Sequence, residues 1–298
     1  MRTSTKARLQ KDDAYPEISK ISSRIFSFTV EEQMSVQEKK VALDKIITGQ
    51  GSLLVAFSGG VDSTLLAARA RKLLGKRSHC VLLDSPVVPR AEIRQAKKVA
   101  EDLDLNLDII TVPLLKHEIF CNNPKDRCYH CKKILAGFLK KRAAELGLAD
   151  IADGTNISDL REHRPGLTAS TEEGILHPFI DTGITKKDIR NIAREYRLPV
   201  WQKPSAACLA SRIPYGDAIT MDNLRKIEEA EAYLAGQGFS QVRVRLHGTI
   251  ARIEIPGEDM GKVMDIRTEV ATKLKSIGFS YVTLDLEGYR SGSMDEVL

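Results

Sequence analysis

Residues 53–64 read LLVAFSGGVDST. Five apolar residues, enough for one buried strand, run into Ser58-Gly59-Gly60 and Val61-Asp62-Ser63, and a helix-like run, TLLAARARKLLG, follows. A strand that ends in small residues and turns into a helix presents backbone N–H groups and a positive helix end above the sheet, which makes an anion site. The glycines let a ligand approach the backbone without meeting a Cβ, and the hydroxyls of Ser58 and Ser63 add donors. Asp62 is out of place beside a phosphate unless a divalent cation joins them, so a carboxylate there is expected to hold Mg2+. The spacing is neither that of the Walker loop nor that of the dinucleotide GxGxxG. The bland alternative is a tight strand–helix turn that happens to use glycines.

Outward from this stretch, VQEKKVALDKIITG has apolar residues at helical spacing and stops at Gly49 and Gly51. Strand and helix patterns then alternate. LLVAF precedes a helix over 64–74, HCVLLD precedes RAEIRQAKKVAEDLD, LDIITVPL precedes a loop and a helix over 132–146, and ADIADGT closes the series as a strand. This alternation predicts an α/β domain with a doubly wound parallel sheet, whose ligands lie beyond the carboxyl ends of the strands. After about residue 215 the pattern becomes helix, strand, strand, helix, strand: TMDNLRKIEEAEAYLAGQG, VRVRL, ARIEI, GEDMGKVMDIRTEVATKLKSIG and YVTLDL. The expected division is a polar extension over 1–35, the α/β domain over 36–215 and a smaller α+β unit over 216–298. No internal repeat or low-complexity segment is visible.

Composition excludes several classes. No apolar run approaches a membrane span, and the N-terminus lacks the apolar core of a secretory signal, so a cytoplasmic location is the default expectation. Basic residues exceed acidic ones by 45 to 40. That excess suits phosphate ligands and falls short of the basic face of a dedicated nucleic-acid binder. Five cysteines, Cys80, Cys121, Cys128, Cys131 and Cys208, point to metal or redox chemistry rather than a disulfide framework.

The stretch SGGVDS at 58–63 resembles the SGGxDS signature of the PP-loop ATP pyrophosphatases. That superfamily includes GMP synthetase, NAD synthetase, argininosuccinate synthetase and tRNA thiolases. It cleaves ATP between the α and β phosphates and adenylates a carbonyl or carboxylate oxygen. The resemblance implies that Ser58, Gly59, Gly60, Asp62 and Ser63 bind ATP and Mg2+, and that Asp84, closing HCVLLD, contacts the adenosine. It also places Thr155, Asn156 and Asp159, from ADGTNISD at 152–159, near the nucleotide or the second substrate.

Cys128-Tyr129-His130-Cys131 opens a helix-like run, and Cys208 sits in KPSAACLASRIPYG. A Cys-x-x-Cys at a helix start lowers thiol pKa and brings two sulfurs within reach of one metal. A redox pair, two unrelated thiols, and zinc with His130 as a further ligand remain open on the spacing alone. The segment around Cys208 shows little sign of a helix or strand and reads as a functional loop. Cys80 and Cys121 lie in apolar contexts and read as structural.

From about residue 36 onward the chain resembles the LarE family of sulfur transferases. SGGVDS, DGTNISDLREHRPG, KPSAACLASRIPYG, VRVRLHGTIARIEI and GYRSGSMDE carry the likeness, in that order. The family adenylates a carboxylate of pyridinium-3,5-biscarboxylic acid mononucleotide with ATP and replaces oxygen by sulfur, twice, on the way to a nickel-pincer nucleotide. In one variant a single cysteine surrenders its sulfur. In the other, three cysteines hold a [4Fe-4S] cluster whose open iron carries an exogenous sulfide. Cys128, Cys131 and Cys208 match the second, so the resemblance implies a cluster-dependent enzyme with a separate sulfide donor. It also implies that Cys208, Asp62 and Arg212 are catalytic, that Arg212, Arg243, Arg245, Glu254 and Arg290 bind the mononucleotide, that Glu231 is a metal-site acid beside Asp62, and that the protein is a homo-oligomer.

Arg243 and Arg245 alternate with valines, so their side chains share one face of a strand. Without the resemblance that face would read as solvated, and Glu231 as a helix-face charge. Three rivals stay in view: a PP-loop tRNA thiolase, an ammonia-dependent synthetase of the NAD or GMP type, and a nucleotide-sensing module without catalysis.

Overall fold

The computed structural model describes residues 34–161, 165–204, 207–290, 292–294 and 296. Apart from residues 34 and 35, the expected extension over 1–35 lies outside them. The first unit opens with α1 (Val36–Gly49), capped by Ser35 in a reciprocal box with Glu38. There follow β1 (Leu53–Phe57), α2 (Val61–Leu74), β2 (Ser78–Asp84), α3 (Arg90–Asp102) and β3 (Leu107–Thr111). A short α4 (Glu118–Cys121), a long α5 (Arg127–Glu145) and a two-residue β4 (Ile151–Ala152) come next, then α6 (Pro165–Glu172), α7 (Pro178–Asp181) and α8 (Lys186–Glu195).

The four strands pair in parallel in the order β3-β2-β1-β4. Chain direction across the sheet reverses between β1 and β4, so the crevice above their carboxyl ends is the switch point where such sheets take ligands. Alternation along the strands sorts the core into two layers. Leu53, Val55 and Phe57 of β1, with Cys80 and Leu82 of β2, join one apolar cluster with α1, α2, α3 and α8. Leu54 and Val81 point the other way, onto Ala136, Leu139 and Ala143 of α5.

The carboxy-terminal part consists of α9 (Met221–Gly236), β5 (Arg243–His247), β6 (Ile250–Glu254), α10 (Met260–Asp265), α11 (Arg267–Ile277) and β7 (Tyr281–Leu284). β5 and β6 are antiparallel, and β7 joins β6 in parallel. Its apolar cluster also takes in Val87, Val112, Leu114 and Phe120, with Cys131 and Cys208 packed against it. Residues from well before 215 therefore help to form the second core. Among the described residues no helix is long and apolar enough to cross a membrane.

Several boundaries differ from the sequence reading. α2 starts at Val61 rather than residue 64, with Gly60 as its N-cap, so Asp62 and Ser63 lie in its first turn. α5 starts at Arg127 rather than 132, which puts Cys128 and Cys131 inside the helix. ADIADGT contributes only Ile151 and Ala152 to the sheet. The helix expected over 257–278 breaks near Ile266 into α10 and α11. α6 and α8 are elements the sequence reading passed over, although Thr185 and Asp188 form a capping box at the start of α8.

Candidate active site

The turn between β1 and α2 crosses Gly59 in the left-handed region at φ 69°. A Cβ there would stand 2.6 Å from Ala96 Cβ, so only glycine fits. Ser63 Oγ accepts from the Ser58 amide at 3.1 Å and sits 3.0 Å from Ser58 Oγ, which ties the two serines across the turn. From the other side of the crevice the turn after β4 presses in: a Cβ on Gly154 would meet the Ser63 amide nitrogen at 2.8 Å.

Asp62 Oδ2 is bound by the Lys186 ammonium of α8, and Oδ1 is buried with no partner among the described residues. Burial raises the Asp62 pKa, with Lys186 pulling the other way. A carboxylate with one buried oxygen unanswered fits the Mg2+ expected from the motif. Lys203, whose side chain is 9% exposed, pairs with Glu92 at 2.7 Å and donates to the Gly59 carbonyl at 3.3 Å. Lys186 was not singled out from sequence; Lys203 opens the KPSAACLASRIPYG loop, but nothing local shows that it meets the phosphate turn. Each lies more than 120 residues from the loop it meets.

The other nucleotide-site candidates stand at the strand ends. Asp84, closing β2, is ion-paired to Arg90. Asn156 is buried, donates to Asp159 Oδ2 at 2.9 Å and accepts from the Ser158 amide at 2.9 Å. The Thr155 amide donates to Asp153 Oδ1 at 3.0 Å, and that oxygen also meets His177 Nδ1 at 2.8 Å. Burial pushes the Asp153 carboxyl up, but the His177 bond and the Lys132 and His177 charges more than offset it. The result is a pKa well below the usual carboxylate range. Asp153 and His177 thus brace the turn that carries Thr155 and Asn156.

A cavity of about 250 Å3 is lined by Ser58, Gly60 and Asp62 together with Lys186, Lys203 and Cys208. The mouth of the sheet and the loop cysteine therefore share one space. Cys131 is pushed up to about 12, first by burial, then by the Cys208 and Cys128 sulfurs, against the pull of Lys132 and Arg127. The fold thus brings Cys128 and Cys208 each into electrostatic range of Cys131. Among the described residues no three His, Cys, Asp or Glu side chains stand ready as a metal-ligand set. Burial and the neighbouring sulfurs hold the Cys131 thiol protonated, and a cation bound among the thiols would offset both.

A second cavity, which shares Ala207 with the first, is lined by Arg127, Ser211, Arg243, Arg245, Tyr289 and Arg290. Arg243 and Arg245 do share a face of β5. Arg245 is 5% exposed and pairs with Glu254 at 2.7 Å; Glu254 is fully buried and also holds Arg252 and Ser293. Arg245 Nε is buried without a hydrogen-bond partner among the described residues, and Arg290 Nη1 has only Asp285 Oδ1, at 4.0 Å. Burial lowers the Arg243 pKa, helped by the Arg212 charge. A guanidinium nitrogen left unanswered beside a cavity suits an anion.

Two residues have other surroundings than expected. Arg212, expected to touch substrate, is 2% exposed and lines neither cavity. Its Nη1 donates to the Ala207 and Cys208 carbonyls at 3.1 and 3.0 Å, so it holds the cysteine loop from beneath. Glu231, expected beside Asp62 as a metal-site acid, spends both oxygens on Arg212, at 2.9 and 3.0 Å, and takes the Val244 amide as well. A buried guanidinium needs such a partner, and the pair works as a support for the loop.

Comparison with known proteins places this arrangement. The NAD synthase family matches residues 35–156, which include the phosphate turn. An uncharacterized protein of Synechocystis is 39% identical over 82% of this chain and 92% of its own length. An uncharacterized protein of Methanocaldococcus jannaschii is 34% identical over 80% of this chain and 91% of its own length. The pyridinium-3,5-bisthiocarboxylic acid mononucleotide synthase of Lactiplantibacillus plantarum is 38% identical over 87% of this chain and 95% of its own length. Likeness of that extent, spanning the phosphate turn, the cysteine loop and the arginine strand, makes the chain a member of the LarE family, to which that synthase belongs.

Proposed function

We propose that the protein is an ATP-dependent sulfurtransferase that converts the carboxylates of pyridinium-3,5-biscarboxylic acid mononucleotide to thiocarboxylates. One observation carries the reading: Asp62 and Cys208 line one cavity, and Ala207 joins it to the arginine cavity. The three needs of the reaction, ATP activation, a sulfur nucleophile and a phosphate anchor, are then met side by side.

In this reading a substrate carboxylate oxygen attacks the α-phosphorus of ATP. The bond to the β-phosphate breaks, and pyrophosphate leaves with the electron pair. The backbone N–H groups of residues 58–61, the α2 N-terminus and Lys186 face the charge that develops. Ser58, Gly59, Gly60 and Ser63 cradle the phosphates, Asp62 holds Mg2+, and Asp84, Thr155 and Asn156 face the nucleoside. A sulfur nucleophile then adds to the acyl carbon, and AMP departs with its oxygen. Arg243, Arg245 and Arg290 hold the substrate phosphate; Glu254 fixes Arg245. Arg212 and Glu231 position Cys208.

Cys128, Cys131 and Cys208 would hold a [4Fe-4S] cluster, which supplies a labile sulfide at an iron that three protein thiolates leave open. The finer reading therefore includes an external sulfide donor and many turnovers per chain, in a cytoplasmic homo-oligomer.

The test is an anaerobic assay with iron- and sulfide-reconstituted protein, ATP, Mg2+, the bis-carboxylate mononucleotide and sulfide, followed by product mass. Thiocarboxylate product beyond one equivalent per chain is expected, with Cys208 intact. One turnover that leaves dehydroalanine at Cys208 would remove the cluster from the reading and keep the sulfurtransferase. Salt-dependent tRNA binding, or full activity in a Cys128, Cys131 and Cys208 triple serine variant, would favour the thiolase or the ammonia-dependent synthetase.

A further inference from the structure

Arg127 is 3% exposed and opens α5. Two features of that placement cost free energy. Its guanidinium is out of water with no carboxylate at ion-pair distance among the described residues. Nη1 donates to Asn123 Oδ1 and to the Ala210 carbonyl, and the group lies 5.1 Å from the centre of the Tyr215 ring. It also stands at the positive end of a 19-residue helix with no acid in its first turn. A cation is disfavoured there, and a buried charge without a counter-charge is costly. Asp126, next in the chain, turns to His130 at 3.0 Å instead.

Arg243, on the wall of the same cavity, has likewise only a neutral acceptor, the Val242 carbonyl, and the Tyr289 ring at 5.5 Å. Arg245 and Arg290 have carboxylates, although Arg245 Nε is buried without a hydrogen-bond partner among the described residues. The cavity thus holds two guanidinium charges beyond those its carboxylates neutralise among the described residues.

We infer that Arg127 is a substrate-phosphate ligand, and that with Arg243 it makes the cavity selective for a dianionic phosphomonoester. The inference rests on the cavity being the phosphate site of the mononucleotide. A dianion answers both costs at once, since it neutralises two guanidiniums and lies at a helix N-terminus. A phosphodiester, with one charge, answers half. Arg127 also ties the phosphate to the sulfur chemistry: it precedes Cys128 directly and bonds the carbonyl two residues beyond Cys208.

The test measures equilibrium binding to the full chain, for wild type, Arg127→Met and Arg127→Lys. The probes are the bis-carboxylate mononucleotide, its nucleoside without phosphate, and Mg2+-ATP. Wild type should prefer the mononucleotide. Arg127→Met should lose that preference by about 10- to 100-fold and Arg127→Lys by less, with ATP affinity held within about twofold. Equal weakening of mononucleotide and nucleoside, or no weakening, overturns the assignment. If Arg127→Met does not fold, Arg127→Lys decides by the same two criteria. A wild-type chain with no preference for the mononucleotide refutes the reading of the cavity instead.

Discussion

Gly154→Ala isolates the contact between the two turns that form the nucleotide crevice. The backbone of Gly154 is not in the left-handed region, so alanine brings no dihedral penalty, and its effect is steric. The added Cβ would lie 2.8 Å from the Ser63 amide nitrogen, 2.9 Å from the Asp62 carbonyl carbon and 3.0 Å from Asp62 Cβ. Two of these three are backbone atoms, so no side-chain rotation relieves the clash. One turn must move several tenths of an ångström from the other. Overpacking of this kind costs about 1–3 kcal/mol. If the strain falls wholly on the fold, the melting temperature drops by about 2–4 °C per kcal/mol. If instead α2 shifts and the loop loses its ligand geometry, the same energy appears as about 5- to 150-fold weaker ATP binding. Thermal melting and Mg2+-ATP titration on one sample separate the two, and the sum of both losses should fall in that range. A variant with wild-type melting and wild-type ATP affinity would falsify the close approach of Gly154 to Asp62 and Ser63.

Arg243→Ala should weaken mononucleotide binding by about 10- to 100-fold. Its melting temperature should hold, since burial and the Arg212 charge already disfavour the Arg243 cation; a large melting drop with unchanged affinity would make it a structural residue. The depressed Asp153 pKa makes its contribution to stability present above the ordinary carboxylate pKa of about 3.9, and lost as pH falls through the folded value. Asp153→Asn should cost on the order of 3 kcal/mol at neutral pH and flatten the acid limb of the melting curve; an unchanged acid limb counts against the Asp153–His177 brace. In iron-free protein at pH 8, iodoacetamide should label the exposed Cys128 and spare Cys131, which is pushed up to about 12 and holds thiolate at only about one part in ten thousand. Equal labelling by mass spectrometry would refute the raised Cys131 pKa.

The alternation of short apolar runs with helices determined the parallel sheet, and LLVAFSGGVDST the phosphate turn and the need for a cation at Asp62. Those follow from local pattern and from the backbone chemistry of a strand that turns into a helix. The three cysteines and the paired arginines of β5 were legible too, but through the family resemblance: spacing alone left a redox pair, zinc and a solvated strand face open. Tertiary structure decided the rest. Only the packed chain brings Lys186 onto Asp62, 124 residues away, or buries Arg212 against Glu231 beneath the cysteine loop. Only the packing of the second core against the 87–120 region and α5 sets Cys131 beside Cys208 and turns Arg127 into the arginine cavity. Charge partners and burial belong to contacts between distant segments, and a local pattern holds no record of which segment will arrive. Hence Arg212 and Glu231 read as substrate and metal residues from the family resemblance, and as the supports of Cys208 once their neighbours are known.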